Sequence, residues 1–239
     1  NRVEEMPREA NGERMQMNGQ WSQGHSLYDW YLPEYAGVSE DGKALYVGYY
    51  EPSKGAFGEK NSTTGEINYI TSVHKYELDF EAKNGRAPVL GQDYDTISTT
   101  NYAYAGSNYV GKSASPALQG GFGFDLDVYG VELSAQFSYG IGGYGYDNVY
   151  ATLMHSGRIG SNNWHTDIRN AWTETNTKTD VPRLSNGTDN YANAASTRFL
   201  TSNSYLNLNN VRLGYKFPKK WMDKIKVNTL SLWISADNL

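Results

Sequence analysis

Between residues 120 and 139 the chain reads GGFGFDLDVYGVELSAQFSY, and apolar and polar positions alternate along two successive arms. Phe122, Phe124, Leu126 and Val128 are interleaved with Gly123, Asp125 and Asp127. After Tyr129 and Gly130 come Val131, Leu133, Ala135, Phe137 and Tyr139, interleaved with Glu132, Ser134, Gln136 and Ser138. A period of two marks a strand with one apolar and one polar face. Joined by a two-residue loop, the arms form a hairpin in which Val128 opposes Val131, Leu126 opposes Leu133, Phe124 opposes Ala135 and Phe122 opposes Phe137. Every apolar side chain then falls on one side, and a slip of one residue would invert one strand. Gly130 suits the positive φ of such a turn, whereas Tyr129 takes it unwillingly, so the turn type stays open.

Two environments give this alternation: a half-buried strand of a soluble sandwich and a strand of a membrane barrel. Three features point toward the barrel. Each arm runs about nine residues, close to what a tilted strand needs to cross a bilayer. Aromatic residues stand at the ends, Phe122 and Tyr139 at one and Tyr129 at the other, where barrels carry aromatic girdles. The polar side holds Asp125, Asp127 and Glu132, which a dry core rejects and a wet lumen accepts. In the barrel reading Phe122, Phe124, Leu126, Val128, Val131, Leu133 and Phe137 face lipid. Asp125, Asp127, Glu132, Ser134 and Gln136 then face the lumen.

The flanking chain is read from the same patterns. Residues 1–26 are polar and poor in pattern, with Met6, Met15 and Met17 among charges. An aromatic stretch, 25–38, closes at Gly37, and a turn at Asp41-Gly42 leads into a strand over 44–50. Residues 51–68 have loop composition. Tyr76, Leu78, Phe80 and Ala82 alternate with Glu77, Asp79 and Glu81, which predicts a strand over 76–82 ended by Asn84-Gly85. Residues 86–115 return to loop composition, with Tyr102, Tyr104 and Tyr109. The long irregular segment 140–198 is of a length that usually carries function. In residues 204–218, Leu206 and Leu208 share one parity and Val211, Leu213, Tyr215 and Phe217 the other, so a β-bulge is expected at Asn209-Asn210. Pro218 stops that strand, residues 219–226 turn the chain, and Leu230, Leu232, Ile234 and Ala236 alternate in the last run.

Four membrane strands follow, at 116–129, 131–142, 200–217 and 226–239. Their connections alternate long and short, as outer loops and periplasmic turns do in barrels. On that pattern Gly130 and residues 218–225 lie at the periplasmic end and 140–198 outside the cell.

Composition narrows the classes. The 239 residues include 14% aromatics, 20 tyrosines and 25 glycines, and the mean hydropathy is −0.66. That mixture suits β structure with long polar loops. No run of 18 apolar residues exists, which excludes a spanning helix and leaves a barrel open. The absence of cysteine removes disulfides, zinc thiolate sites and thiol catalysis. A net charge of −5 argues against nucleic-acid binding.

Candidate chemistry is sparse. Asp125, Asp127 and Glu132 could be imagined as glycosidase carboxylates, yet a wet wall explains them without a cleft. His155 and His165 are ten apart, with His25 and His74 distant, which is no metal-site spacing. The stretch GIGGYGYDN is like a phosphate loop but lacks the Lys-Ser/Thr ending and a following helix. Asp180 and Arg183 are placed to pair locally. Loop aromatics are the ligand candidates, because flat rings stack on sugars at small entropic cost. Trp164, Trp172, Tyr144 and Tyr146 are the first choices, against a plain role in loop packing. No cofactor and no catalytic or metal residue is assigned.

Several segments resemble the C-terminal part of the barrel of SusC/RagA-family TonB-dependent outer-membrane transporters of Bacteroides-type bacteria. They are HSLYDWYLPEYAGVSEDGKALY from His25, VGKSASPALQGGFGFDLDVYGVELSAQFSYGIGG from Val110, TNTKTDVPRL from Thr175, SYLNLNNVRLGYKFP from Ser204, and LWISADNL. They occur in the family's order and spacing; residues 52–109 match least. The resemblance implies an all-β chain, part of an antiparallel barrel of about 22 strands with a plugged lumen. Residues 1–115 become an extracellular loop region, so that 76–82 is no membrane strand, and 116–239 supply the barrel strands. The resemblance also implies import of oligosaccharides or peptides, energy through TonB contacted by an N-terminal part not among these residues, and a SusD-like lipoprotein over the outer mouth. The chain is therefore expected to be a fragment of an outer-membrane protein that is not an enzyme. A soluble carbohydrate-binding or glycan-processing module and a barrel-anchored adhesin are the alternatives.

Overall fold

The computed structural model describes residues 2–8, 10, 21–157, 163–189 and 191–239. Met15 and Met17 lie outside the described residues. In chain order the strands and helices are β1 (Asp29–Pro33), β2 (Tyr35–Val38), β3 (Ala44–Tyr50), α1 (Val73–Asn84), β4 (Asp95–Thr99), β5 (Ser107–Ser113), β6 (Leu118–Val128) and β7 (Val131–Ile141). There follow β8 (Tyr144–Tyr146), α2 (Asn148–Leu153), β9 (Leu200–Ser202), β10 (Tyr205–Lys216), α3 (Lys219–Met222) and β11 (Ser231–Asp237). The chain divides into two compact units. One joins Asn1–Ala114 with Gly145–Thr201, and the other joins Ser115–Tyr144 with Ser202–Leu239.

The second unit is an open antiparallel sheet in the order β11-β10-β7-β6. Its hairpin has the register that the alternation dictates, with Val128 opposite Val131, Leu126 opposite Leu133, Phe124 opposite Ala135 and Phe122 opposite Phe137. The Phe122 and Phe137 rings stack at 4.8 Å. At the turn Tyr129 has φ 51° and Gly130 φ 84°. Both central residues are left-handed, the type I′ geometry whose twist matches the flanking strands. Tyr129 therefore accepts a conformation that a bulky residue resists.

In β10, Leu208 opposes Phe137 and Asn210 opposes Gln136, leaving Asn209 as the extra residue of a bulge. The bulge restores parity, so Leu213 lies between Leu133 on one side and Ile234 on the other. Two strands are shorter than their apolar runs. Residues 200–202 form the separate β9, which pairs with β8, and β10 begins only at Tyr205. After Pro218, α3 turns the chain, and β11 begins at Ser231 rather than 226.

The first unit is built from a β2-β3-β4 sheet, a β1-β5 pair, short helices and the β8-β9 contact. Tyr46 is fully buried on β3, edge-on to Tyr35 at 5.8 Å and to Tyr102 at 5.0 Å. Aromatic rings bury large areas in these geometries, which lets a tyrosine-rich unit form a core with few aliphatics. Gly106 is required beside this packing, because a Cβ there would lie 2.5 Å from the Tyr49 ring and 2.7 Å from the Ile70 carbonyl oxygen.

Residues 76–82 are helical, not a strand. Val73, Tyr76 and Phe80 recur at helix spacing, and Val73 and Tyr76 pack with Tyr49, Ile70 and Tyr94. Lys75 pairs with Asp79 one turn on, at 2.6 Å, and Gly85 ends the helix in the left-handed conformation. The stretch 86–115 is also more ordered than its composition suggests, since it contains β4 and β5. Residues 140–198 remain irregular but are packed. Ala151, Met154, Ala171 and Val181 form a buried cluster with Phe199, which follows the segment.

Candidate functional site

The second unit presents two chemically different faces. One row carries Phe122, Phe124, Leu126 and Val128 on β6, Val131, Leu133, Ala135 and Phe137 on β7, Val211, Leu213 and Tyr215 on β10, and Leu232, Ile234 and Ala236 on β11. The alternate positions are mostly polar or glycine, with the exposed Trp233 of β11 among them. Asp127 faces Glu132, Asp125 faces Ser134, and Ser134 faces Arg212 on β10. The Arg212 guanidinium lies over the Trp233 ring at 4.8 Å, a cation–π contact. Asn210 donates to Asp237 at 2.6 Å, and Ser138 donates to Asn209 at 2.9 Å. Asp125, Asp127, Glu132, Ser134 and Arg212 border a shallow hollow of about 320 Å³.

The four aromatic candidates do not form one platform. The Trp164 indole donates to the His155 carbonyl at 2.8 Å and stacks on the His155 ring at 5.5 Å. Trp172 covers the Asp41-Gly42 turn, where a Cβ on Gly42 would lie 2.5 Å from its ring. Tyr146 meets Phe199 edge-on at 6.0 Å and Trp30 at 6.3 Å; burial raises its hydroxyl pKa above the usual tyrosine value. Tyr144 begins β8 and is half-buried. The packing role weighed against ligand binding thus accounts for Trp164, Trp172 and Tyr146 as placed.

Two local expectations are corrected. Arg183 pairs with Asp189 at 2.9 Å, not with Asp180; the Asp180 carbonyl accepts instead from the Tyr35 hydroxyl at 2.6 Å. The glycine-rich stretch 140–148 is followed by a helix, α2. It forms because the Asp147 carboxylate caps the Tyr150 amide at 2.8 Å. That capping carboxylate occupies the place a phosphate would need.

Sequence reasoning missed one cluster. His25, set apart from His74 along the chain, lies 5.1 Å from it between ring centroids. His25 stacks on Tyr109 at 3.6 Å, and His74 meets the same ring edge-on at 5.2 Å. Asp29 stands 3.7 Å from His25 and Glu77 3.5 Å from His74. The buried Nε2 of His74 has no hydrogen-bond partner among the described residues. Burial, and then the neighbouring His74, lower the His25 pKa, outweighing the pull of Asp29. The acids four residues after His25 and three after His74 were the legible signal, but only folding of α1 brings the two histidines together. Among the described residues, no group of three or more His, Asp or Glu side chains could hold a metal ion.

The second unit, an open antiparallel sheet of four strands, has the fold of a fragment of a larger β-barrel. No protein-family model matches the chain. It is 31% identical over 125 residues to TonB-dependent receptor P3 of Formosa agariphila, covering 52% of this chain and 12% of that receptor. In fold it matches the structure of the RagAB peptide transporter with a TM-score of 0.59 and 24% identity, over 94% of this chain and 20% of the other. The RagAB peptide importer in its open-open state gives the same TM-score at 23% identity. The chain thus spans about an eighth of the receptor's length and a fifth of the structural neighbour's. In sequence, half of the chain is similar to a stretch of a TonB-dependent receptor, and in fold nearly all of it is similar to a stretch of RagAB. Among the described residues no helix is long and apolar enough to cross a membrane, which says nothing of a barrel.

Proposed function

We propose that these residues form part of the wall and outer loops of an outer-membrane barrel of about 22 strands. The whole protein imports oligosaccharides or peptides, takes its energy through TonB, and works beneath a SusD-like surface lipoprotein. The reading is carried by one observation: the two-faced character of the sheet persists through four strands, a hairpin and a bulge. A wall between lipid and water asks for that pattern. In this reading the apolar row, Phe122 to Phe137 and its partners, faces lipid, while Asp125, Asp127, Glu132, Ser134 and Gln136 face the lumen. The relatives named above are a receptor and importers, which supports transport over catalysis. That RagAB is a peptide importer favours peptides among the two cargo classes.

Residues 1–115 are assigned to the outside, and 116–239 to the barrel strands with a long outer loop at about 140–198. Support comes from the grouping of Gly145–Thr201 with Asn1–Ala114 in one unit. Cysteine labelling of intact cells tests it: Thr188→Cys should react and Tyr129→Cys should not. The reverse result would invert the topology.

Uptake by cells carrying the full-length protein, with and without TonB, tests the function. Accumulation of glycan or peptide that stops without TonB is expected. Surface binding with no energised uptake would identify an adhesin, and a parent protein that stays dissolved without detergent would identify a soluble module. Growth of a deletion strain on a panel of glycans and peptides would identify the cargo.

A further inference from the structure

The connection between β10 and β11 is strongly basic. Lys216, Lys219, Lys220, Lys224 and Lys226 fall within eleven residues, opposed only by Asp223. All five are exposed. The lysine ion pairs of the described residues involve Lys43, Lys54 and Lys75, none of these five. Beside them Trp221 is 54% and Ile225 58% exposed, while Met222 is buried and anchors the turn.

This turn and the β6-β7 turn occupy one end of the sheet, linked by the Lys216 amide, which donates to the Gly130 carbonyl at 2.7 Å. Each holds a non-glycine residue in the left-handed region, Tyr129 at φ 51° and Lys226 at φ 59°. Glycine or asparagine would adopt that conformation at lower cost. The residues found instead are an aromatic, 97% exposed, and a cation. Those are the two types that anchor proteins at a membrane–water boundary. The apolar row runs up to this end: the Tyr215 and Phe217 rings meet at 5.0 Å, and the Phe217 amide donates to the Leu230 carbonyl at 3.0 Å.

We propose that this end of the sheet is a docking surface for anionic phospholipid headgroups. Lys219, Lys220, Lys224 and Lys226 take the phosphodiesters, and Trp221, Ile225 and Tyr129 enter the boundary between headgroups and acyl chains. The inference rests on the membrane-barrel reading. The occupant is fixed by charge complementarity and by continuity with the apolar row. An ammonium on a flexible stem suits a phosphate whose position is not fixed, and juxtamembrane lysines are drawn to anionic leaflets.

The full-length protein, purified in a neutral detergent, is offered equal parts of phosphatidylethanolamine and phosphatidylglycerol, and retained lipids are read by native mass spectrometry. Phosphatidylglycerol should be retained several-fold over phosphatidylethanolamine, and high salt should erase the preference. The combined Lys219→Gln, Lys220→Gln, Lys224→Gln, Lys226→Gln protein should approach parity. The same four sites changed to Arg, and a Lys60→Gln, Lys83→Gln control, should keep the preference. The high-salt arm uses the unaltered protein and decides the matter even if the glutamine variant fails to fold. A preference that survives both salt and the glutamine changes overturns the proposal. So does a preference erased by inorganic phosphate alone, which would mark a site for the free ion. Crosslinking of the four lysines to an acidic periplasmic protein in cells, with no lipid preference, would assign the surface to that partner instead. Reconstitution in liposomes separates the two levels: a barrel that inserts without headgroup preference sinks this inference alone, and one that does not insert sinks the reading beneath it.

Discussion

His25 lies flat against Tyr109, ring centroids 3.6 Å apart and planes within 1° of parallel. The edge of His74 closes the cluster. Asp29, Arg2 and His74 act on the His25 charge, and burial is the largest influence; the net effect is a pKa below the usual 6.5. Native His25 is therefore held neutral at a pH where the unfolded chain begins to take up a proton. The resulting stability is fully present above about pH 6.5 and is lost as pH falls toward the lowered native value. The protection of amides in residues 22–28 and 107–111, taken relative to their intrinsic exchange rates, should fall on acidification through that window. His25→Gln should flatten the dependence; an unchanged pH profile in that variant would show that His25 is not the group responsible.

The β6-β7 turn holds a second testable strain. A left-handed tyrosine costs about 1–2 kcal/mol relative to its preferred regions, and Tyr129 recovers none of this by packing within the unit, being 97% exposed. In neutral detergent Tyr129→Asn should raise stability against denaturant by about 1 kcal/mol. Gly130→Ala should act in the opposite sense, by more than about 1 kcal/mol. There the added Cβ would lie 2.5 Å from the Lys216 carbonyl oxygen at φ 84°. Equal stabilities for the three proteins would mean that the turn relaxes freely.

Asn209 is the residue whose removal should be tolerated. Its deletion leaves Leu208 opposite Phe137 and Asn210 opposite Gln136 with nothing between them, so no apolar side chain changes face. The losses are the Ser138 hydrogen bond and the bond from the Asn238 amide to the Asn209 carbonyl, about 1 kcal/mol each. Deleting Arg212 instead should be far worse, because it moves one part of β10 out of parity with the rest. Comparable unfolding midpoints for the two deletions would show that β10 tolerates slippage.

These contrasts explain what could be read in advance. The hairpin and the bulge were legible because a period of two, repeated on both sides of a defined turn, leaves one register. Helix α1 was misread because four alternating positions in 76–82 also satisfy a short strand. Val73 lies outside those four positions although it stands at helix spacing from Tyr76 and Phe80, and Gly85 ends a helix or a strand equally well. The buried side chains of Ala151, Met154, Ala171, Val181 and Phe199 come from one short helix and scattered turns with no shared period. Arg183 pairs with Asp189 rather than Asp180 because the loop path, not sequence distance, brings carboxylate and guanidinium together. The His25–His74 contact joins residues far apart through a helix that had not been recognised.

Lipid exposure of the apolar row makes the most demanding forecast. Phe124 lies near the middle of β6, opposite Ala135. If it faces the bilayer midplane, arginine there should destabilise the full-length barrel by about 2–4 kcal/mol, falling toward 0–1 near the interfaces. Val128, beside the turn at the end of β6, should therefore cost distinctly less as arginine. Ser134, next to Ala135 but on the alternate face beside Asp125 and Arg212, should accept arginine with little loss. A soluble sandwich also penalises Phe124→Arg, but its penalty does not depend on bilayer thickness. Denaturant unfolding in bilayers of short-chain and long-chain lipids separates the two. A gradient from Phe124 to Val128 that shifts with thickness is expected for a membrane wall. Equal costs at positions 124, 128 and 134, indifferent to the lipid, would place the apolar row against protein and remove the barrel assignment.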